Sequence, residues 1–282
     1  MEHSRWFFLL KLCVSSTLVG RGWLTWRWDS PIRGIVWQED WWSGLMQRLG
    51  TNWEQFAVTS DTGISLATTM LGLVLIVSAI LPWVIKRGSR FRHSLWVPTA
   101  ILVLDSFARW VAADYDFGMA LEHSLQMIAP VSLLLALGPG NNGGRWSLLV
   151  SIAAAFTFIG HGFYAAGIHP VPLSYQNMTI GILGVSQATA PIFLSFAGWL
   201  DIAFAIGLFF RPTRLISLIY LVGWGGATAL ARVVAHLDFE AVGWALDPWL
   251  FETVVRTPHW LLPLLLLLLD RESARKASTA NS

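Results

Sequence analysis

Apolar residues gather along this chain into eight runs, separated by polar connections. At about 1.5 Å per residue, roughly 20 residues cross the ~30 Å of a bilayer's hydrocarbon. The runs long enough to do so are Trp6 to Trp26, Gly63 to Ile85, His93 to Ala113, Ala120 to Gly138, Trp146 to Gly167, Pro191 to Phe210, Thr213 to Ala235 and Pro248 to Leu269. All are predicted helices, because a segment in lipid must satisfy its own backbone. Lys11 interrupts the first run and no small-residue cleavage site follows, which predicts a retained helix rather than a secretory signal.

The connection at 27–62 breaks the even spacing. It holds Trp28, Trp37, Trp41, Trp42 and Trp53 beside Asp29, Glu39, Asp40 and Glu54, a mixture that predicts short amphipathic helices in an aromatic belt at the membrane interface. A lid over an outer mouth is the alternative. Residues 271–282 are polar and predicted to be a disordered tail.

Composition agrees with lipid as the solvent. Of 282 residues 55% are hydrophobic and 13% charged, too much apolar surface for one soluble core. The single cysteine excludes an internal disulfide or a dithiol redox pair. Basic residues cluster in alternate turns: Lys86, Arg87, Arg90 and Arg92, then Arg145, then Arg211 and Arg214. The opposite turns collect Asp114, Asp116, Asp238, Glu240 and Asp247. By the positive-inside rule both termini are cytoplasmic, N-in and C-in.

The pattern is also stated twice. Ser16 to Trp23, STLVGRGW, recurs as Phe156 to Phe163, FTFIGHGF, and Ala108-Arg109-Trp110-Val111-Ala112 recurs as Ala231-Arg232-Val233-Val234-Ala235. The expected fold class is therefore all-α: a polytopic membrane bundle of two tandem four-helix repeats, 1–138 and 146–270, joined by the turn Gly138 to Gly144. With four crossings each, the repeats share one orientation and are related by an axis along the membrane normal.

Charges inside the runs supply the candidate chemistry. Arg21, Arg109, Arg232 and Arg256 are balanced by Asp105, Glu122, Asp201 and Glu252. Each charge at mid-bilayer costs roughly 2.5–3.5 kcal/mol on insertion scales, so the eight imply mutual pairing or a wet cavity. Asp105 with Arg109, and Glu252 with Arg256, have the i,i+4 spacing of helical ion pairs. His123, Gln126 and His161 fall in the same outer half, with Asp201 and His259 near the midplane, so these twelve residues are the candidate ligand-binding set. Arg21 and His161 correspond in the repeat, where an Arg offers a planar fork of donors and a His exchanges protons. Arg109 and Arg232 are expected to be anchors rather than ligand contacts.

Other chemistries are disfavoured. No His pair at i,i+4 and no Cys-x-x-Cys-His suggests a metal or covalent haem, and dispersed basic residues argue against nucleic acid. Gly223, Ala227 and Ala231 form a small-residue stripe expected to pack helices closely. Pro130, Pro258 and Pro263 are expected to kink the fourth and eighth helices beside the polar set.

The residues Gly160-His161-Gly162-Phe163, followed by Ala197-Gly198-Trp199-Leu200-Asp201 and Ile206-Gly207-Leu208-Phe209, carry a resemblance to the DoxX-like group of small bacterial membrane proteins. The resemblance covers the second half and implies a bundle in the bacterial inner membrane. In some members of that group it implies a subunit passing electrons from a sulfur compound to quinone, and so a membrane redox partner. This chain departs in being a double unit, in lacking a useful cysteine and in its Trp-rich insertion.

Three functions fit these expectations. The favoured one is an inner-membrane protein whose outward-facing polar cavity binds a quinone, a lipid or a small anion, as part of a redox system. The alternatives are a small-solute transporter and a non-catalytic scaffold or assembly factor. The residues locate a site without naming a reaction.

Overall fold

Each apolar run does form a helix. A computed structural model describes residues 4–28, 30–140 and 143–280. Asp29 and the middle of the Gly-rich turn, both part of the expectations above, lie outside the described residues. Among the described residues every regular element is helical. In chain order these are α1 (Ser4–Arg27), α2 (Ile32–Val36), α3 (Glu39–Arg48), α4 (Trp53–Ser78), α5 (Leu81–Val84), α6 (Trp96–Ala112), α7 (Phe117–Glu122), α8 (Ser124–Leu137), α9 (Gly143–Ala165), α10 (Leu173–Leu183), α11 (Ala190–Gly207), α12 (Arg214–Ala235), α13 (Val242–Val254) and α14 (Thr257–Ala280). A 3-10 turn, Arg90–Leu95, leads into α6.

Eight stretches are long and apolar enough to cross a membrane: Arg5–Arg27, Trp53–Val84, Arg90–Ala112, Phe117–Leu137, Gly143–Ala165, Ala190–Gly207, Arg214–Ala235 and Val242–Lys276. Two begin six or more residues earlier than hydropathy predicts. α4 starts at Trp53 because the Asn52 side chain accepts from the Gln55 N–H at 2.8 Å, a cap that carries a polar helical turn ahead of the apolar run. α13 starts at Val242 rather than Pro248, and Trp23 of α1 donates to its Asp247. The tail is a correction: α14 continues to Ala280, supported by an Arg214–Asp270 ion pair at 2.6 Å and by Glu272–Lys276 at i,i+4 spacing.

The core runs along α1, α8, α9 and α14, which contact one another. Leu10, Leu18, Leu125, Leu133 and Leu265 are fully buried there, and Trp6 meets Trp146 edge-on at 5.0 Å. α4 and α6 flank α1 and α8 on one side, and α11 and α12 flank α9 and α14 on the other. The flanking helices turn large apolar side chains outward, including Leu66, Met70 and Val77 on α4 and Ile192, Phe196 and Trp199 on α11. Exposed apolar surface of that extent belongs against lipid. The protein is a multi-pass helical membrane protein.

Close approaches at glycine set the bundle. A Cβ on Gly22 would lie 2.7 Å from Gly72 O, and one on Gly72 would lie 2.7 Å from Gly22 O, so α1 and α4 touch backbone to backbone. α9 and α11 do the same through Gly162 and Gly198, each Cβ position 2.8 Å from the other's carbonyl. Gly20 instead abuts Val255, its Cβ position 2.6 Å from the Val255 N, while Gly160 abuts Gly118 and Glu122. In both glycine pairs the residue between, Arg21 or His161, is therefore held by backbone on two sides. The stripe at Gly223, Ala227 and Ala231 does not serve packing. A Cβ on Gly223 would meet nothing within 4 Å, and the close contact of α12 is made by Gly225, whose Cβ would lie 2.7 Å from His259 O.

Of the three prolines expected to kink helices, only Pro258 lies at a break. The fourth crossing breaks at His123, ahead of Pro130, which lies inside α8. There the Leu125 N–H leaves the helix ladder and bonds Thr157 Oγ1 of α9 at 3.0 Å. The eighth breaks at Val255 and Arg256, just ahead of Pro258, which has no N–H to give, while Pro263 lies inside α14.

Candidate site: a buried polar chain beside an aromatic cavity

The candidate residues come together at the level of these two breaks. Arg109 Nε donates to Asp105 Oδ2 at 3.0 Å, and Arg21 Nε lies 3.3 Å from the same oxygen. Arg21 Nη2 donates to Gln126 Oε1 at 2.7 Å. Because that oxygen accepts from Arg21, the amide nitrogen of Gln126 is the end that faces His259 Nε2, 3.4 Å away. The His259 ring meets the His161 ring edge-on with centroids 5.3 Å apart. His161 Nδ1 then lies 3.0 Å from the Tyr175 hydroxyl and 3.9 Å from Glu122 Oε1. One polar chain thus crosses from α6 through α1, α8, α14 and α9 to α10.

The remaining charges are held locally. Arg256 pairs with Glu252 and donates to its carbonyl at 2.8 Å. Asp201 accepts from the Tyr220 hydroxyl at 2.8 Å. Arg232 donates to Thr228 O at 2.8 Å. His123 is buried at the α7–α8 break, its Nδ1 3.5 Å from Met119 O, and belongs neither to the chain nor to the cavity. Both i,i+4 ion pairs read from spacing are formed.

A cavity of about 250 Å³ adjoins one end of the polar chain, between α9, α10, α11, α12 and the start of α14. Phe158, Phe193, Trp224, Met178 and Leu194 make its walls apolar and aromatic. His161, Tyr175, Asp201, Arg232, Arg256 and His259 supply its polar groups. Exposed Ile182, Leu183 and Ala227 lie on its rim. Trp224, Ala227, Thr228, Ala231 and Arg232 form one face of α12, so the small residues expected to pack helices instead leave room in the cavity. Arg256 Nε is buried and makes no hydrogen bond among the described residues.

The wall contributed by α10 lies between the fifth and sixth apolar runs, where no helix was expected. Its signal was present: Tyr175, Met178, Thr179, Ile182 and Leu183 have the i, i+3, i+4, i+7, i+8 spacing of a helix face, and all five line the cavity. Tyr175 is the main functional residue missed. Burial, reinforced by the nearby Glu122 charge, pushes its hydroxyl upward from the usual tyrosine range, so it stays protonated as a donor.

Such a site is suited to holding a molecule with an apolar body and a polar head. Aromatic walls take the body, and guanidinium, imidazole and phenol groups address oxygens on the head. No family model matches the chain, and no curated protein or solved structure does so either.

Proposed function

We propose that this is an inner-membrane protein of two tandem four-helix units, whose second unit binds a small amphipathic molecule, such as a quinone, a lipid or a small organic anion. The observation that carries the reading is the meeting of aromatic walls with His161, Tyr175, Arg232, Arg256 and His259 around one cavity. Eight ionisable side chains in apolar helices are costly, and a bound polar head is a use that offsets the cost.

The tandem arrangement is supported by matched contacts. The Gly22–Gly72 approach mirrors Gly162–Gly198, and Gly20 against Val255 mirrors Gly160 against Glu122. Pro130 and Pro263 then fall the same distance after Glu122 and Val255. On that equivalence the first helix of each unit packs on the fourth of the other. Arg21 answers to His161, Asp105 to Thr228, Arg109 to Arg232, His123 to Arg256 and Gln126 to His259. A DoxX-like origin of each unit, with a role in a redox system, rests on the Gly160-His161-Gly162 motif. Cytoplasmic termini rest on the alternation of basic and acidic turns.

Ala227 sits on the cavity rim, so Ala227→Phe should fill the mouth without touching the polar chain. Native mass spectrometry of protein released from membranes in mild detergent should find a small-molecule adduct on the parent chain and not on the variant. Equal adducts on both, or none on either, would remove the binding reading and favour a scaffold.

A further inference from the structure

The two units neutralise their shared arginine differently. In the first, Asp105 stands one turn before Arg109 and accepts its Nε–H at 3.0 Å. In the second, that place is Thr228, whose hydroxyl is turned back to Trp224 O at 2.9 Å. Arg232 therefore keeps only the Thr228 carbonyl, at 2.8 Å, and has no ion-pair partner among the described residues. It is 8% exposed and lines the cavity. Beside it is Arg256, with its unpartnered Nε. The position from which Arg21 reaches Asp105 is held in the second unit by His161, also in the cavity wall.

We propose that a carboxylate carried by the ligand takes the place in the second unit that Asp105 holds in the first, so that the occupant is a small amphipathic monocarboxylate. This rests on the cavity reading above and names the class of molecule it takes. A planar two-oxygen anion matches the fork of a guanidinium, and in the first unit the protein's own Asp105 meets Arg109 and Arg21 through Oδ2. The opposite end of the cavity sets the orientation. Asp201, already bonded to Tyr220 and without a cation at ion-pair distance among the described residues, offers a carboxylate no partner; Tyr220 precedes Arg232 by about 18 Å along α12 at ~1.5 Å per residue. The carboxylate lies toward Arg232 and Arg256, with the apolar body against Trp224, Phe193 and Phe158. A cavity of about 250 Å³ has room for roughly eight non-hydrogen atoms, taking the ~30 Å³ of a water molecule as the unit, and a longer apolar tail leaves by the exposed rim at Ile182 and Leu183.

Octanoate, octan-1-ol and octylamine test this on the purified full-length protein by calorimetry in a detergent of low critical micelle concentration. Octanoate should bind at least tenfold more tightly than octan-1-ol, and octylamine more weakly than either. Arg232→Gln should lower octanoate affinity tenfold or more while leaving octan-1-ol within twofold. Thr228→Asp, which restores the first unit's pairing, should abolish octanoate binding and raise the thermal midpoint. Octanoate no better than octan-1-ol, or full octanoate affinity in Arg232→Gln, overturns the carboxylate assignment and leaves the cavity reading standing. Binding of none of the three sinks both.

Discussion

Asp105 is the carboxylate on which two guanidinium groups converge, and Asp105→Asn removes its charge while keeping its shape. Arg21 lies 3.3 Å from Asp105 Oδ2 and is 2% exposed, so it cannot recover water when the charge goes. Breaking a buried pair in this way costs about 3–5 kcal/mol. Arg109 bonds the same oxygen, but its side chain is 28% exposed and can turn outward, so its share is about 0.5–1 kcal/mol. Adding Arg21→Met to Asp105→Asn removes the stranded charge and leaves an apolar chain of similar length. Part of the loss should return, with about 1 kcal/mol left for imperfect packing and about 1 kcal/mol or more for Gln126 Oε1, which loses its donor in Arg21→Met with or without Asp105→Asn. The coupling between the two sites is then at least ~2 kcal/mol. Cys13 gives the assay, since it is the chain's one cysteine, is fully buried, and shares α1 with Arg21. Its rate of maleimide labelling through a denaturing-detergent titration reports opening of the bundle. A loss below ~1 kcal/mol for Asp105→Asn, or a double variant no better than the single, would refute a dry, paired site.

Four further outcomes can be checked. Gly198→Ala would place a Cβ 2.3 Å from Ala166 N and force α9 and α11 apart, costing about 1–3 kcal/mol in the thiol assay, whereas Gly181→Ala on α10, with nothing within 4 Å, should be neutral. Thr157→Val strands the Leu125 N–H and should cost about 1–3 kcal/mol, while Thr157→Ser keeps the acceptor and should cost far less. Tyr175→Phe should weaken ligand retention several-fold with little change in the thiol assay; because that hydroxyl is pushed upward, its ionisation should not reduce binding up to about pH 10. With Cys13→Ser as background, a cysteine at Ser43 should label from outside intact cells and one at Ser273 only after lysis; the reverse would invert the proposed orientation.

The spans were legible because lipid imposes a length and forbids an unsatisfied backbone, so apolar runs and helices nearly coincide. The i,i+4 ion pairs were legible for a similar reason, since helix geometry alone brings Asp105 to Arg109 and Glu252 to Arg256. What connects different helices was not. Nothing in the spacing says that Gln126 bridges Arg21 and His259, which depends on how α1, α8 and α14 pack. Proline marked one break, at Pro258, and missed the other, because a break follows where backbone groups find other partners. Thr157 provides one for Leu125 at His123, while Pro130 stays within α8. The Gly223, Ala227 and Ala231 stripe misled because small residues permit either close packing or an opening, and the neighbouring helix decides which. α10 was hidden by its lack of charge and its shortness, although its apolar face kept helical spacing.

An electron-density or cryo-electron-microscopy map of the protein in a lipid nanodisc, without added ligand, bears most directly on whether the second unit is a binding site. Elongated density between Tyr175 and Arg232, flanked by Trp224 and Phe193, is the expected result. A map in which α10 closes onto α11 and α12 with no space left among those side chains, or in which Arg232 turns away to lipid, would contradict it.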